Sequence, residues 1–149
     1  MIGENKYLEI SGSGNFIRIE LIGLSHESAE LNWDKNWITG CVKLKAGGFS
    51  GEFNAEFMTM DFIQFQEQLE FLYNNLSENA NLKTLEDQVE IKIIGDGIGH
   101  LEAECVVMDS AGFGNKLKFE IAFDQTFLPK IINQLKQITS KFLKIGELE

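Results

Sequence analysis

The chain has 149 residues, with 23 acidic against 13 basic side chains, a net charge of −10 and one arginine, Arg18. Binding to nucleic acid or to an anionic membrane surface needs a Lys/Arg footprint against phosphate, so the charge argues against both partners. With 44% apolar residues, 12 Phe and one Pro, the composition is that of one folded domain over 1–149 rather than a disordered or linker-rich chain.

The N-terminal segment Met1–Ile10 has no basic region followed by a long apolar run, so no signal peptide is expected. No apolar stretch reaches spanning length. Cys41 and Cys105 fall inside strand patterns, where buried free thiols are the default. A reducing, cytoplasmic setting is therefore expected, with no disulfide framework, no metal site and no cofactor.

In chain order, Leu8 and Ile10 mark a short strand closed by the turn Ser11-Gly12-Ser13-Gly14-Asn15. Ile17, Ile19 and Leu21 alternate with Arg18 and Glu20, the pattern of a sheet with one face on a core. A long connection, Gly23–Asn36, leads to strands over 37–46 and 51–58. A helix is expected to begin near Asp61, with Gln64 at capping-box spacing. Phe62, Phe65, Leu69, Leu72 and Leu76 then form its apolar stripe. The Asn-rich segment Asn74–Asn81 ends it.

The second half begins at Leu82 and Leu85. Val89, Ile91 and Ile93 share one face, and Gly95-Asp96-Gly97-Ile98-Gly99 reads as a tight hairpin turn. In the next strand His100, Glu102 and Glu104 oppose Leu101, Ala103, Cys105 and Val107. The strand over 115–123 buries Leu117, Phe119, Ile121 and Phe123. Thr126 is the expected N-cap of a last helix that carries Pro129 in its first turn and a stripe from Leu128 to Phe142.

The halves resemble each other. Cys41, Gly48, Phe49, Phe53 and Glu56 stand 64 positions before Cys105, Gly112, Phe113, Leu117 and Glu120, and residues 18–23 match 90–95 at a spacing of 72. An internal repeat over about 7–76 and 81–143 is expected, with Cys41 over Cys105 and Phe49 over Phe113. The faces conflict with that spacing: even positions look buried in the first cysteine strand and odd positions in the second, although an even spacing preserves the face. The first copy also has a longer connection, 18 positions from Gly23 to Cys41 against 10 from Gly95 to Cys105.

Catalytic motifs are missing from this pattern. Both Gly-rich turns lead into strands, whereas a phosphate cradle leads into a helix. His100, Glu102 and Glu104 read first as a solvated strand face, with acid–base or metal chemistry as the sharper alternative. His26, Glu27, Glu30 and Asp34 match no metal spacing. Both tryptophans lie in Asn32-Trp33-Asp34-Lys35-Asn36-Trp37-Ile38. Trp37 suits a core position at a strand start, and Trp33, beside Asp34, suits an exposed recognition residue.

Trp33-Asp34-Lys35-Asn36-Trp37-Ile38 resembles the W-D-x-N-W-L signature of the WapI-type immunity family of small bacterial proteins, and the order of elements over 8–76 is similar. The family's Pro-Cys-Leu-Leu-Thr segment before the helix is replaced here by Phe57-Met58-Thr59-Met60. The resemblance implies a cytoplasmic protein that neutralises a toxin.

The expected fold is α+β: a mostly antiparallel sheet built from two duplicated strand-rich halves, each ending in an amphipathic helix. The expected function is that of a non-enzymatic interaction protein, an immunity-type inhibitor. The alternative is a small-ligand-binding module with a pocket between the halves. The expected partner is a basic protein, met by Trp33, Asp34, Asn36, Glu27 and Glu30 on the long connection, and open sheet edges leave a homodimer open.

Overall fold

The computed structural model describes residues 5–26, 30–31 and 33–142. Strands β1 (Tyr7–Gly12), β2 (Asn15–Leu24), β3 (Trp37–Ala46) and β4 (Phe49–Met58) form one antiparallel sheet in that order, followed by α1 (Thr59–Asn74). Strands β5 (Asn79–Lys83), β6 (Val89–Gly95), β7 (His100–Met108) and β8 (Lys116–Asp124) repeat the arrangement, followed by α2 (Leu128–Lys141). The fold is α+β with two similar halves. No helix among the described residues is long and apolar enough to cross a membrane.

Local chemistry explains the elements. The β1–β2 turn places Ser13 at φ 52° and Gly14 at φ 84°. Two consecutive left-handed residues match the twist of a two-residue hairpin. The alternation in β2 turns Ile17, Ile19 and Leu21 inward, each at most 1% exposed.

Helix α1 starts at Thr59, two residues before the expected Asp61. Asp61 instead sits at the third helical position and accepts the Met58 N–H at 2.8 Å, satisfying a donor the helix leaves unpaired. Before α2, Thr126 does not cap the helix. It donates its N–H and hydroxyl to the Asp124 carboxylate, which closes a short 3-10 turn, Gln125–Phe127, and leaves Pro129 in the first turn of α2.

The sheet register resolves the face conflict. Leu8, Ile19, Val42 and Phe53 lie in one row across the first sheet; Leu82, Ile91, Cys105 and Phe119 lie in one row across the second. Val42 and Cys105 both point into the core, and Cys41 does not. Cys41 faces outward and is half-buried, with its thiol 3.8 Å from a Glu52 carboxylate oxygen, whereas Cys105 is in the core. A bulge at Ile22, between Leu21 and Gly23, adds to the change in spacing.

The halves are joined by exchange. The Gln68 side-chain oxygen on α1 accepts the N–H of Asn81 in β5, and that of Gln134 on α2 accepts the N–H of Glu9 in β1, at 2.7 and 2.9 Å. Each helix thus covers the first strand of the other half. Asn15 Nδ2 donates to the Glu120 carbonyl in β8, and Gln88 Nε2 to the Asn54 carbonyl in β4. Gly12 lies so close to the Ala122 carbonyl that a Cβ there would collide with it. Side chains of both sheets and both helices, among them Leu69, Leu135, Ile19 and Ile91, form one buried cluster.

Candidate functional site

The β2–β3 connection carries the predicted partner-binding residues. Its C-terminal end is a 3-10 turn, Trp33–Asn36. The Asp34 N–H donates to the Leu31 carbonyl at 3.1 Å, and Ser25 N–H to the Trp37 carbonyl at 3.0 Å. Ser25 and Thr39 hydroxyls both donate to the Glu56 carboxylate, at 2.7 and 2.8 Å. These bonds hold the base of the connection to β4.

The turn leaves Trp33 44% exposed beside Leu31 at 67%. Glu30 is exposed and Asp34 half-buried. Asn36 is 1% exposed, and its carbonyl accepts the Thr59 hydroxyl at 3.3 Å. It lies against the start of α1 and is not at the surface. Trp37 is half-buried and Ile38 fully buried. Glu27 lies outside the described residues.

Sequence reasoning missed the supports Glu56 and Thr59 and the exposed Leu31 and Ile22. Ile22 had a local signal: it follows Leu21 directly and so breaks the alternation of β2. Glu56 had none, because its partners are distant in the chain.

The equivalent connection in the second half is the turn between β6 and β7. Asp96 accepts the backbone N–H groups of Ile98 and His100 at 2.9 and 3.1 Å and lies 2.8 Å from His100 Nδ1. The Ile98 N–H, with help from His100, holds the Asp96 carboxyl below its ordinary range. Beyond the turn, Glu102, Glu104 and Glu120 bring carboxylate oxygens within 4.8 Å of one another. Repulsion from Glu120, then burial and Glu104, raises the Glu102 carboxyl above its ordinary value. Burial, followed by Glu52, raises the Cys41 thiol, and burial alone pushes Cys105 up to about 12. Thiolate nucleophiles need the opposite shift.

Among the surface depressions are two lined by described residues. One, of about 340 Å³, is bounded by Ile94, Gly95, Asp96, His100, Leu101, Glu102 and Ala122. The other involves Glu9, Ser11, Gly12, Gly14, Asn15 and Phe16. Each belongs to one half, and neither is the pocket between halves that a ligand-binding module was expected to show.

The elements and the aromatic turn define a small α+β protein with its aromatic signature at the surface. The profile of the Immunity protein WapI-like family matches residues 8–143, and the chain belongs to that family. The structure titled "Crystal structures of trypanosoma bruciei MRP1/MRP2" is similar, with a TM-score of 0.52 at 8% identity over 92% of this chain and 85% of that one. At such identity the likeness is one of fold alone. No curated protein matches the chain.

Proposed function

We propose that this protein neutralises a protein toxin by binding it directly, and that the Trp33 turn is the contact. Membership of the immunity family supports a protein partner. The observation that carries the location is the exposed pair Leu31 and Trp33 on a turn whose base is hydrogen-bonded to β4 and α1. Exposed aromatics on rigid supports lose little entropy on binding, and such residues dominate interface energies. Glu30 and Asp34 add negative charge to the turn, and Glu27 adds to the acidity of the connection in sequence, which favours a basic toxin surface and speeds its approach.

The test is Trp33→Ala, assayed by neutralisation and by calorimetric affinity against a toxin that the unaltered protein retains in a pull-down. The expected loss is about 2 kcal/mol, roughly thirtyfold in affinity, with an unchanged melting temperature. Full neutralisation by the variant would refute Trp33 as the contact. Failure of the unaltered protein to neutralise that toxin would refute the inhibitor function.

A further inference from the structure

We propose that the free half of the edge strand β4 pairs antiparallel with the same strand of a second copy, giving a two-fold dimer. The two sheets end in four edge strands, and on each a side chain bonds to the outward main chain. On β1 the Glu9 N–H is held by Gln134, and on β5 the Asn81 N–H is held by Gln68. On β8 the Glu120 carbonyl accepts Asn15 Nδ2, Gly12 of β1 lies against Ala122, and the remaining stretch carries Lys116 and Lys118. Lysines on an edge discourage pairing with another strand. On β4 the Asn54 carbonyl accepts Gln88 Nε2 at 3.2 Å. From Phe49 to Glu52, however, the strand is exposed and, among the described residues, hydrogen-bonded only to β3.

The hairpin decides which groups are free. Ala46 and Phe49 close the two-residue turn, so the main chain of Phe49, Gly51 and Phe53 meets β3, and that of Ser50 and Glu52 faces outward, on the side Gln88 marks at Asn54. A two-fold axis at Gly51 sets Ser50 opposite Glu52 of the second copy in hydrogen-bonded pairs, and Phe49 opposite Phe53. Phe49 is 68% exposed and shares the inner face with Leu44, Ala46 and Phe53, which packs against the core. Pairing therefore extends that core by two aromatic contacts. On the outer face Glu52 comes to lie between Lys43 of its own β3 and, beyond the small Ser50, Lys45 of the second copy. This local complementarity works against the general repulsion from a net charge of −10. An axis at Glu52 would instead oppose two glutamates and use the Asn54 carbonyl that Gln88 holds. An axis at Leu117 of β8 would oppose lysines 116 and 118. Strand β3 runs ten residues from Trp37 to Ala46. The Trp33 turn is thus about 30 Å from the β3–β4 tip, and the dimer leaves both Trp33 turns free.

The experiment is sedimentation equilibrium of the full chain over a micromolar concentration range, paired with cysteine cross-linking. A reversible dimer is expected, weak because one pair of strands buries less than a standard interface. In a Cys41→Ser background, Gly51→Cys should form an intermolecular disulfide under mild oxidation and Ser50→Cys should not, because only position 51 meets itself across the axis. Gly51 has room for the change: an added Cβ meets only the Leu44 side chain, at 3.7 Å. Ser50→Pro removes an outward donor and no bond to β3, so it should give a monomer with an unchanged circular dichroism spectrum. Opposite Glu52, Ser50→Glu should weaken the dimer about tenfold and Ser50→Lys should tighten it by about as much. A monomer at every concentration would overturn the proposal, as would a dimer that survives Ser50→Pro or that Gly51→Cys fails to cross-link. None of these measurements uses the toxin, so a monomeric result leaves the Trp33 contact standing.

Discussion

Asp61 is a carboxylate whose contribution to stability has the unusual sign. Burial raises its carboxyl from 3.8 to about 6, against the opposing pull of the Met58 N–H bond. Well below pH 3.8 the group is protonated in both folded and unfolded chains and has no effect. Between about pH 4 and 6 the unfolded chain releases this proton while the folded chain keeps it, so this group's contribution falls as pH rises and then levels off. A shift of about two units corresponds to roughly 3 kcal/mol, reduced to about 1–2 kcal/mol because the side chain is partly solvated and a carboxylate at a helix N-terminus is favoured by the helix dipole. Asp61→Asn keeps an oxygen for the Met58 N–H and removes the ionisation. It should stabilise the protein by about 1–2 kcal/mol at pH 7.5 and by nothing measurable at about pH 3. Urea unfolding of both proteins at the two pH values measures the difference, in which the other titrating groups cancel. Equal destabilisation at both pH values would show that the capping bond outweighs the desolvation and would refute the reasoning.

Leu69→Ala and Leu135→Ala remove fully buried side chains from the helix faces that meet the core, and each should cost about 2–5 kcal/mol in chemical denaturation. A change within error would mean that the helix face packs loosely. The two cysteines should separate under alkylation followed by mass spectrometry. Cys41 reacts in the native protein, slowly because its thiol is raised, whereas Cys105 reacts only after unfolding. Simultaneous labelling would contradict the assigned register.

Local pattern alone determined much of this protein. Strict alternation at Ile17, Ile19 and Leu21 and at Val89, Ile91 and Ile93 specified strands and their inner faces, because side chains on a strand repeat every two residues. Helical spacing at Phe62, Phe65, Leu69 and Leu72 specified the α1 face, and all four are fully buried. The Trp33–Ile38 signature pointed to the family. What needed the tertiary structure was everything set by distant partners. A bulge at Ile22 and unequal turns change the spacing between the halves, so Cys41 faces Glu52 while Cys105 is buried, although their sequence surroundings match. Asn36 reads as a surface residue beside Trp33 until the start of α1 packs over it. The exchange of Gln68 and Gln134 between halves, and the approach of Glu120 to Glu102 across β7 and β8, leave no local trace. Periodicity reports which side of an element meets the core; only the assembled sheets decide which residue lies opposite which.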